Sequence, residues 1–248
     1  ITFIRTMSIF AVLWWLVSYI VDNPVLIPSP VAVLISLYEL LATGELIEHI
    51  TISLKRLMIG YILAVIIGVP LGMLMGISRV FNDLFDSVVE MLRPISGIAW
   101  IPIGMFIFGV GDNLAIFIIS YATIFPVIVN TFGGVRTVDR VLVQSAQTMG
   151  VNRWNLFWRV IFPATLPNIL VGLRIAMGLA WVAIVASELI GTNSGLGFAV
   201  EWYRQLIMTS KVVGVIIVIG VLGYVCDLIL RGIQKALTPW EEAKVGGN

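Results

Sequence analysis

Two arginines interrupt the apolar stretches of this chain, and their chemistry asks for an explanation first. Arg93 stands directly before Pro94, and Arg174 lies midway along Val160 to Ser187, a run that is otherwise uncharged. An ionisable side chain at membrane depth costs about 2.5–3.5 kcal/mol on insertion scales, so each needs a role or a partner. A guanidinium donates two parallel hydrogen bonds and suits planar oxyanions. A helix break at Pro94 would free backbone N–H groups, and broken helices aim such ends at anions. Arg93, Ser96 and Arg174 are therefore expected to line an anion-attracting pathway, with Glu188 as a fourth candidate. The alternative is that each arginine pairs with a carboxylate such as Glu188, or with exposed carbonyls. On the pathway reading, Arg174→Leu abolishes solute passage and spares assembly.

Other reactive side chains are scarce. One histidine, His49, leaves little room for a metal site, because catalytic zinc recruits several ligands. No metal and no bound cofactor are expected. The single cysteine, Cys226, excludes an internal disulfide and sits in an apolar run. No G-x-x-x-x-G-K-[ST] phosphate loop is present, and no serine or aspartate stands in a recognisable catalytic arrangement. Asp227 and Arg231 are spaced to pair on one helix face. His49 reads as an interfacial side chain. A net charge of +1 gives no sign of nucleic-acid binding.

The elements that must position these groups are membrane helices. Of 248 residues, 59% are hydrophobic and 12% charged, against about 25% charged in a soluble domain. A span needs about 20 apolar residues. Leu57–Ser78, Leu114–Val135, Val160–Ser187 and Val212–Leu230 qualify; Pro94–Gly111 qualifies if extended back toward Asp83, and Met7–Val21 makes a sixth. The fold class is therefore all-α, one polytopic domain over 1–248 with about six spans. Met7–Val21 lacks the small-residue exit of a cleaved signal. Because the chain begins with Ile1, preceding residues are expected.

Orientation follows from the basic residues. With both termini cytoplasmic, Arg5, Arg79, Arg136, Arg140, Arg153, Arg159, Arg231, Lys235 and Lys244 fall inside. Arg204 and Lys211 stay outside with most loop acids, and Lys55 and Arg56 mark the outer start of the second span. Ser29-Pro30 predicts a capped interfacial helix ending near Gly44. Gly60, Ala64, Gly68, Gly72 and Gly76 recur every fourth residue, which predicts close helix packing, as do Gly172, Ala176 and Ala180. Prolines 70, 94, 102 and 126 fall in or beside spans, where a cavity or protein must receive the freed backbone groups.

The most informative stretch is Thr137–Pro163. Val138, Val141, Leu142, Ser145 and Met149 share one face of a short helix capped by Thr137 or Asp139, and Gly150 ends it. Asn152 caps a second, in which Trp154, Phe157, Trp158 and Ile161 recur at helical spacing. Two short amphipathic helices in a basic loop carry more apolar surface than a connector needs, which indicates docking of another protein.

This loop resembles the signature of ABC importer permeases: Glu-Ala-Ala, three residues, Gly, nine residues, Ile, any residue, Leu-Pro. Here it reads Gln144-Ser145-Ala146, Gly150 and Val160-Ile161-Phe162-Pro163, with the spacing intact and the acid replaced at Gln144. The resemblance covers nearly the whole chain and is similar to permeases for nitrate, sulfonates, taurine and bicarbonate. It rests on Pro28-Ser29-Pro30, Gly44-Glu45-Leu46, Ser53-Leu54-Lys55-Arg56, Leu92-Arg93-Pro94, Ala99-Trp100-Ile101-Pro102, Phe108-Gly109-Val110-Gly111, Gly172-Leu173-Arg174, Ala180-Trp181, Ser187-Glu188 and Gly195-Leu196-Gly197. Ser96-Gly97 departs from it, where many relatives carry prolines.

The resemblance implies a non-enzymatic membrane subunit in a bacterial inner membrane, with coupling helices that fit a groove on separate ATPase subunits. Gln144, Ser145, Ala146, Gly150, Val151, Trp154 and Pro163 would carry that contact, and ATP and Mg would be held by the ATPase. It further implies a second permease copy, most simply a homodimer, an extracytoplasmic substrate-binding protein, and alternating access. A self-sufficient channel or ion-driven carrier would instead show an inverted repeat or paired intramembrane acids.

Overall fold

The computed structural model describes residues 2–239, and the expected cytoplasmic Lys244 lies outside them. In chain order the helices are α1 (Thr2–Val21), α2 (Pro30–Ala42), α3 (Glu45–Ile77), α4 (Arg79–Leu92), α5 (Ile101–Phe108), α6 (Asp112–Arg136), α7 (Arg140–Thr148), α8 (Arg153–Leu156), α9 (Phe162–Gly191), α10 (Leu196–Gln205) and α11 (Thr209–Leu237). No strand occurs among the described residues. A 3₁₀ turn over Gly97–Trp100 precedes α5, and a π turn over Phe157–Ile161 joins α8 to α9.

Among the described residues, four helical stretches are long and apolar enough to cross a membrane: α3, α6, the run from α8 through α9, and α11. The expected third span is not a straight helix. It is a pair, α4 and the Gly97–Phe108 segment, bent by 85°. Pro94 accounts for the end of α4, since it lacks an N–H for the helical ladder, while Arg93 itself keeps helical geometry at φ −55° and ψ −41°. Among the described residues, four of the six expected spans are single helices and the bent pair makes a fifth. The remaining expectation, Met7–Val21, falls in α1, where the Met7 side chain lies outside the described set.

The centre of the molecule is α6, held between α3 and α9. Leu57, Leu114, Ile118, Ile119, Ala176, Ala180 and Ile184 form its buried apolar core. The glycine stripe of α3 faces α6 along its length. A methyl built at Gly60 would lie 2.8 Å from Ile119 Cβ, one at Gly72 would lie 2.7 Å from the Ile128 carbonyl, and one at Gly76 would lie 2.5 Å from Val135 Cβ. Side chains there would force the helices apart, so small residues set the spacing. Close approach also lets the Ser120 hydroxyl reach the Gly60 carbonyl at 3.0 Å, and Tyr61 donates to the Leu173 carbonyl of α9 at 2.9 Å. On the other side of α6, a methyl at Gly172 would lie 2.6 Å from Asn130 Cβ.

Gly72→Val is expected to destabilise the bundle by about 1–3 kcal/mol through overpacking. Gly133→Ala, whose added methyl meets nothing within 4 Å, serves as the neutral control. Thermal unfolding of the two variants in one detergent reads the difference, and equal midpoints would refute tight α3–α6 packing.

The short helix α2 starts as its composition requires. Ser29 caps it by accepting from the Ala32 N–H at 3.2 Å, Pro30 takes the first helical position, and Gly44 leaves it at φ +78°. Its Val33, with Leu37, packs at Gly214 of α11, while Val31, Leu34, Ile35 and Tyr38 remain exposed. Such a helix has an apolar face available for the membrane interface.

Candidate functional site

Three constellations carry the chemistry. The first is the loop at one end of the bundle. Asp139, not Thr137, caps α7, accepting from the Val141 N–H at 2.8 Å. At its other end Gly150 adopts φ +77°; its N–H donates to the Gln147 carbonyl at 2.9 Å and the Val151 N–H to the Ala146 carbonyl at 3.1 Å. Those paired bonds are a Schellman stop, and its left-handed residue favours glycine. Asn152 then caps α8, accepting from the Asn155 N–H at 2.8 Å.

The second short helix, expected from the sequence as a separate element, is not one. It runs through the π turn straight into α9, giving one helical stretch of 39 residues. Pro163 supplies the physical reason for the widened turn, since it cannot donate to the carbonyl of Arg159. Trp154, Phe157, Trp158 and Phe162 pack ring against ring along this stretch, with centroids 5.0–6.3 Å apart. Met149 is 82% exposed and Trp154 69%, and Val141, Leu142, Trp158, Gln144 and Ser145 are also exposed. Ala146, Val151 and Pro163 are half-buried behind them. The geometry presents an apolar ridge flanked by Arg140, Arg153 and Arg159.

The second constellation is a cavity of about 460 Å³ at the bend after α4, walled by α6 and α9. Arg93 and Ser96 line it, as do Tyr121, Asn130, Ile175 and Leu179. Tyr121 donates to the Leu92 carbonyl at 2.9 Å and so pins the end of α4 against α6. Ser96 caps the 3₁₀ turn, its hydroxyl facing the Ile98 N–H at 3.4 Å. Pro126 has no N–H, so the Ala122 carbonyl loses its helical partner, and both residues face the cavity. Among the described residues no carboxylate lies within ion-pairing distance of Arg93, the one charged residue of the lining.

The other two pathway candidates are not at this cavity. Arg174 turns to α11, where its Nε meets Asp227 Oδ1 at 3.3 Å and its Nη1 meets Gln234 Oε1 at 3.3 Å. Asp227 also takes Arg231 at 2.6 Å, the pair expected from their spacing. Arg174 therefore has a carboxylate partner, and that partner is Asp227 rather than Glu188. Because Asp227 keeps Arg231, Arg174→Leu is expected to cost only about 1 kcal/mol, the scale of one half-exposed pair. Solute passage should persist, and its loss with normal folding would return Arg174 to the pathway.

Glu188 belongs to the third constellation, at the end of the bundle opposite the loop. Its carboxylate is 1% exposed and Arg56 3%. Arg56 Nη1 donates to Glu188 Oε1 at 2.9 Å, while Nε and Nη2 reach Asp112 Oδ1 at 2.8 and 2.6 Å. The same guanidinium holds the Ser194 carbonyl at 2.6 Å and its hydroxyl at 2.8 Å. The Ser53 hydroxyl lies 2.8 Å from the Glu188 carboxylate and accepts from the Leu196 N–H at 2.8 Å, and the Gly197 N–H donates to Glu188 Oε2 at 2.9 Å. A methyl on Gly195, at φ +105°, would collide with that carboxylate. His49 joins in, accepting from the Gly195 N–H at 3.2 Å. Arg56 thus ties α3, α6, α9 and the 192–197 loop together. In the sequence, Arg56 appears as a flank of the second span and as part of the Ser53-Leu54-Lys55-Arg56 motif. The available signal was that Ser53 to Arg56, Ser187-Glu188 and Gly195 to Gly197 all lie in the short motifs quoted above.

Residues 68–241 match the family described as binding-protein-dependent transport system inner membrane component. A putative ABC transporter permease protein of Methanocaldococcus jannaschii is 37% identical over 95% of this chain and 90% of its own length. The taurine transport system permease protein TauC of Escherichia coli is 35% identical over 96% of this chain and 88% of its own. Among solved structures, the inward-facing MetNI methionine ABC transporter superposes with a TM-score of 0.70, at 19% identity, over 79% of this chain and 98% of that one. At that identity the likeness concerns the fold.

Proposed function

Because the chain belongs to the family of inner membrane components of binding-protein-dependent transport systems, and so is an ABC importer permease subunit, we propose that it passes a small anion across the membrane under the control of separate ATPase subunits. The anion is of the sulfonate, nitrate or bicarbonate class, and the name of the taurine relative agrees with that class. The observation that carries the anion reading is Arg93, a guanidinium without a carboxylate partner at the wall of the 460 Å³ cavity. Ser96 and the proline-freed backbone beside it supply further polar contacts.

The exposed ridge of Val141, Leu142, Met149 and Trp154 supports docking to the ATPase, which holds ATP and Mg; this chain contributes no catalytic group to hydrolysis. The basic residues around the ridge support a cytoplasmic position for it by the positive-inside rule. With α1 as a sixth crossing, both termini face the cytoplasm, and the Arg56 cluster faces outward, toward an extracytoplasmic binding protein. Two copies pair around the pathway, since closed two-fold assemblies predominate. Closure of the ATPase pair moves the loop, and the loop is continuous with α9, so the movement reaches the cavity wall directly.

The test is reconstitution in nanodiscs with the cognate ATPase and binding protein. Nitrate, taurine, an alkyl sulfonate and bicarbonate are supplied in turn, and one of them is expected to stimulate hydrolysis. Solute movement without any ATPase would sink the reading. Arg93→Gln is expected to lower uptake tenfold or more, as loss of a charge-assisted contact of about 1.5–3 kcal/mol requires, with assembly and basal hydrolysis intact. Unchanged uptake would remove Arg93 from the pathway.

A further inference from the structure

Between the end of α1 and the start of α2, the helix and the turn that follows it enclose a second hollow of about 320 Å³. Trp15, Tyr19, Asp22, Asn23 and Ser29 line it. The turn is built, not loose. Trp14 Nε1 donates to the Pro28 carbonyl at 3.2 Å, the Ser18 hydroxyl donates to the Ile27 carbonyl at 3.1 Å, and the Asn23 side-chain oxygen accepts from the Val25 N–H at 3.0 Å. Trp15 and Tyr19 stack with centroids 5.9 Å apart and an interplanar angle of 19°, and both rings stay largely exposed. Asp22 has no cationic or hydrogen-bonding side-chain partner among the described residues.

An unpaired carboxylate beside two aromatic rings is the chemistry that recognises an alkylammonium: the rings offer their negative faces and the carboxylate takes the N–H donors. Asn23 adds an amide whose N–H₂ is left to donate, which suits a phosphate oxygen. The level in the membrane matches. The hollow lies where a 20-residue apolar helix ends and the interfacial helix α2 begins, the depth of the headgroups. We propose that this hollow binds the headgroup of an aminophospholipid, the ammonium on Asp22, Trp15 and Tyr19 and the phosphate on Asn23. The site secures α1 to the bilayer surface and is separate from the solute cavity, so it stands or falls independently of the anion reading.

The experiment uses the full chain released from nanodiscs of phosphatidylethanolamine mixed equally with phosphatidylglycerol, with retained lipid counted by native mass spectrometry. Phosphatidylethanolamine is expected to be retained roughly tenfold over phosphatidylglycerol, and Asp22→Asn to erase that preference. Asparagine tolerates the φ of +45° found at Asp22, so the variant keeps the turn. Tyr19→Leu is expected to weaken the preference on its own. Equal retention of the two lipids by the parent chain, or an undiminished preference in Asp22→Asn, overturns the proposal. Glycerophosphoethanolamine, which has no acyl chains, distinguishes a lipid from a soluble amine: displacement of the lipid by it at equal concentration would also overturn the assignment. Weaker capture of the binding protein by Asp22→Asn, with lipid retention unchanged, would assign the carboxylate to a protein lysine instead.

Discussion

Arg56→Met is expected to destabilise the folded chain by about 3–5 kcal/mol, the cost of leaving one half of a buried ion pair unopposed. The arithmetic turns on burial. Glu188 is 1% exposed, so water cannot take over from the guanidinium, and the Ser53 hydroxyl and Gly197 N–H solvate only part of the charge. Asp112 is in a different position, since its side chain is 57% exposed and rehydrates when Arg56 is lost. The double variant Arg56→Met with Glu188→Leu should recover much of the loss, because an apolar pair of similar volume is often as stable as the ion pair it replaces. Unfolding midpoints in detergent, compared across the two single variants and the double, give the coupling between the two residues. Limited proteolysis adds a local readout, as the 192–197 loop loses its anchor to α3 and should be cut faster. A single variant as stable as the parent chain would show that the cluster is ornament to the fold, not its outer tie.

That cluster also shows where sequence reasoning stops. Features whose physics is local were legible: the Ser29-Pro30 start, the Gly150 stop, the Asn152 cap and the glycine stripe each depend on a few neighbouring residues. The cavity was half legible. Arg93 beside Pro94 announced a break and an unpaired charge, and the structure places a cavity there. The partners of Arg174 and Glu188, Asp227 and Arg56, were not legible because they lie 53 and 132 residues away in the chain. No spacing rule reaches that far, and a buried arginine looks the same in sequence as one lining a path. The third span was legible in part. The proline at 94 announced its break, whereas the 85° angle between α4 and the Gly97–Phe108 segment has no signal in local spacing.

The loop makes the largest functional prediction. Trp154→Glu is expected to weaken capture of the ATPase by at least about 2 kcal/mol, near thirtyfold, the size typical of a tryptophan at the centre of an interface. The fold should not suffer, because Trp154 is already 69% exposed and surface substitutions usually move stability by about 0.5 kcal/mol or less. Met149→Glu, on the other side of the Gly150 turn and 82% exposed, should act in the same direction. Gly150→Val separates contact from geometry. Nothing lies within 4 Å of the added methyl, so any loss must come from forcing a β-branched residue to φ +77°, which misaims α7 against α8. Gln144→Glu, which puts back the acid of the resembling signature, adds a charge at an exposed site and should change binding by less than about 1 kcal/mol. Binding of purified ATPase to permease nanodiscs measures all four variants, and substrate-stimulated hydrolysis measures their coupling. Full binding and full stimulation in Trp154→Glu would show that the apolar ridge lies against lipid. The drive from ATP would then have to enter the bundle through some element other than the helix that leads directly into α9.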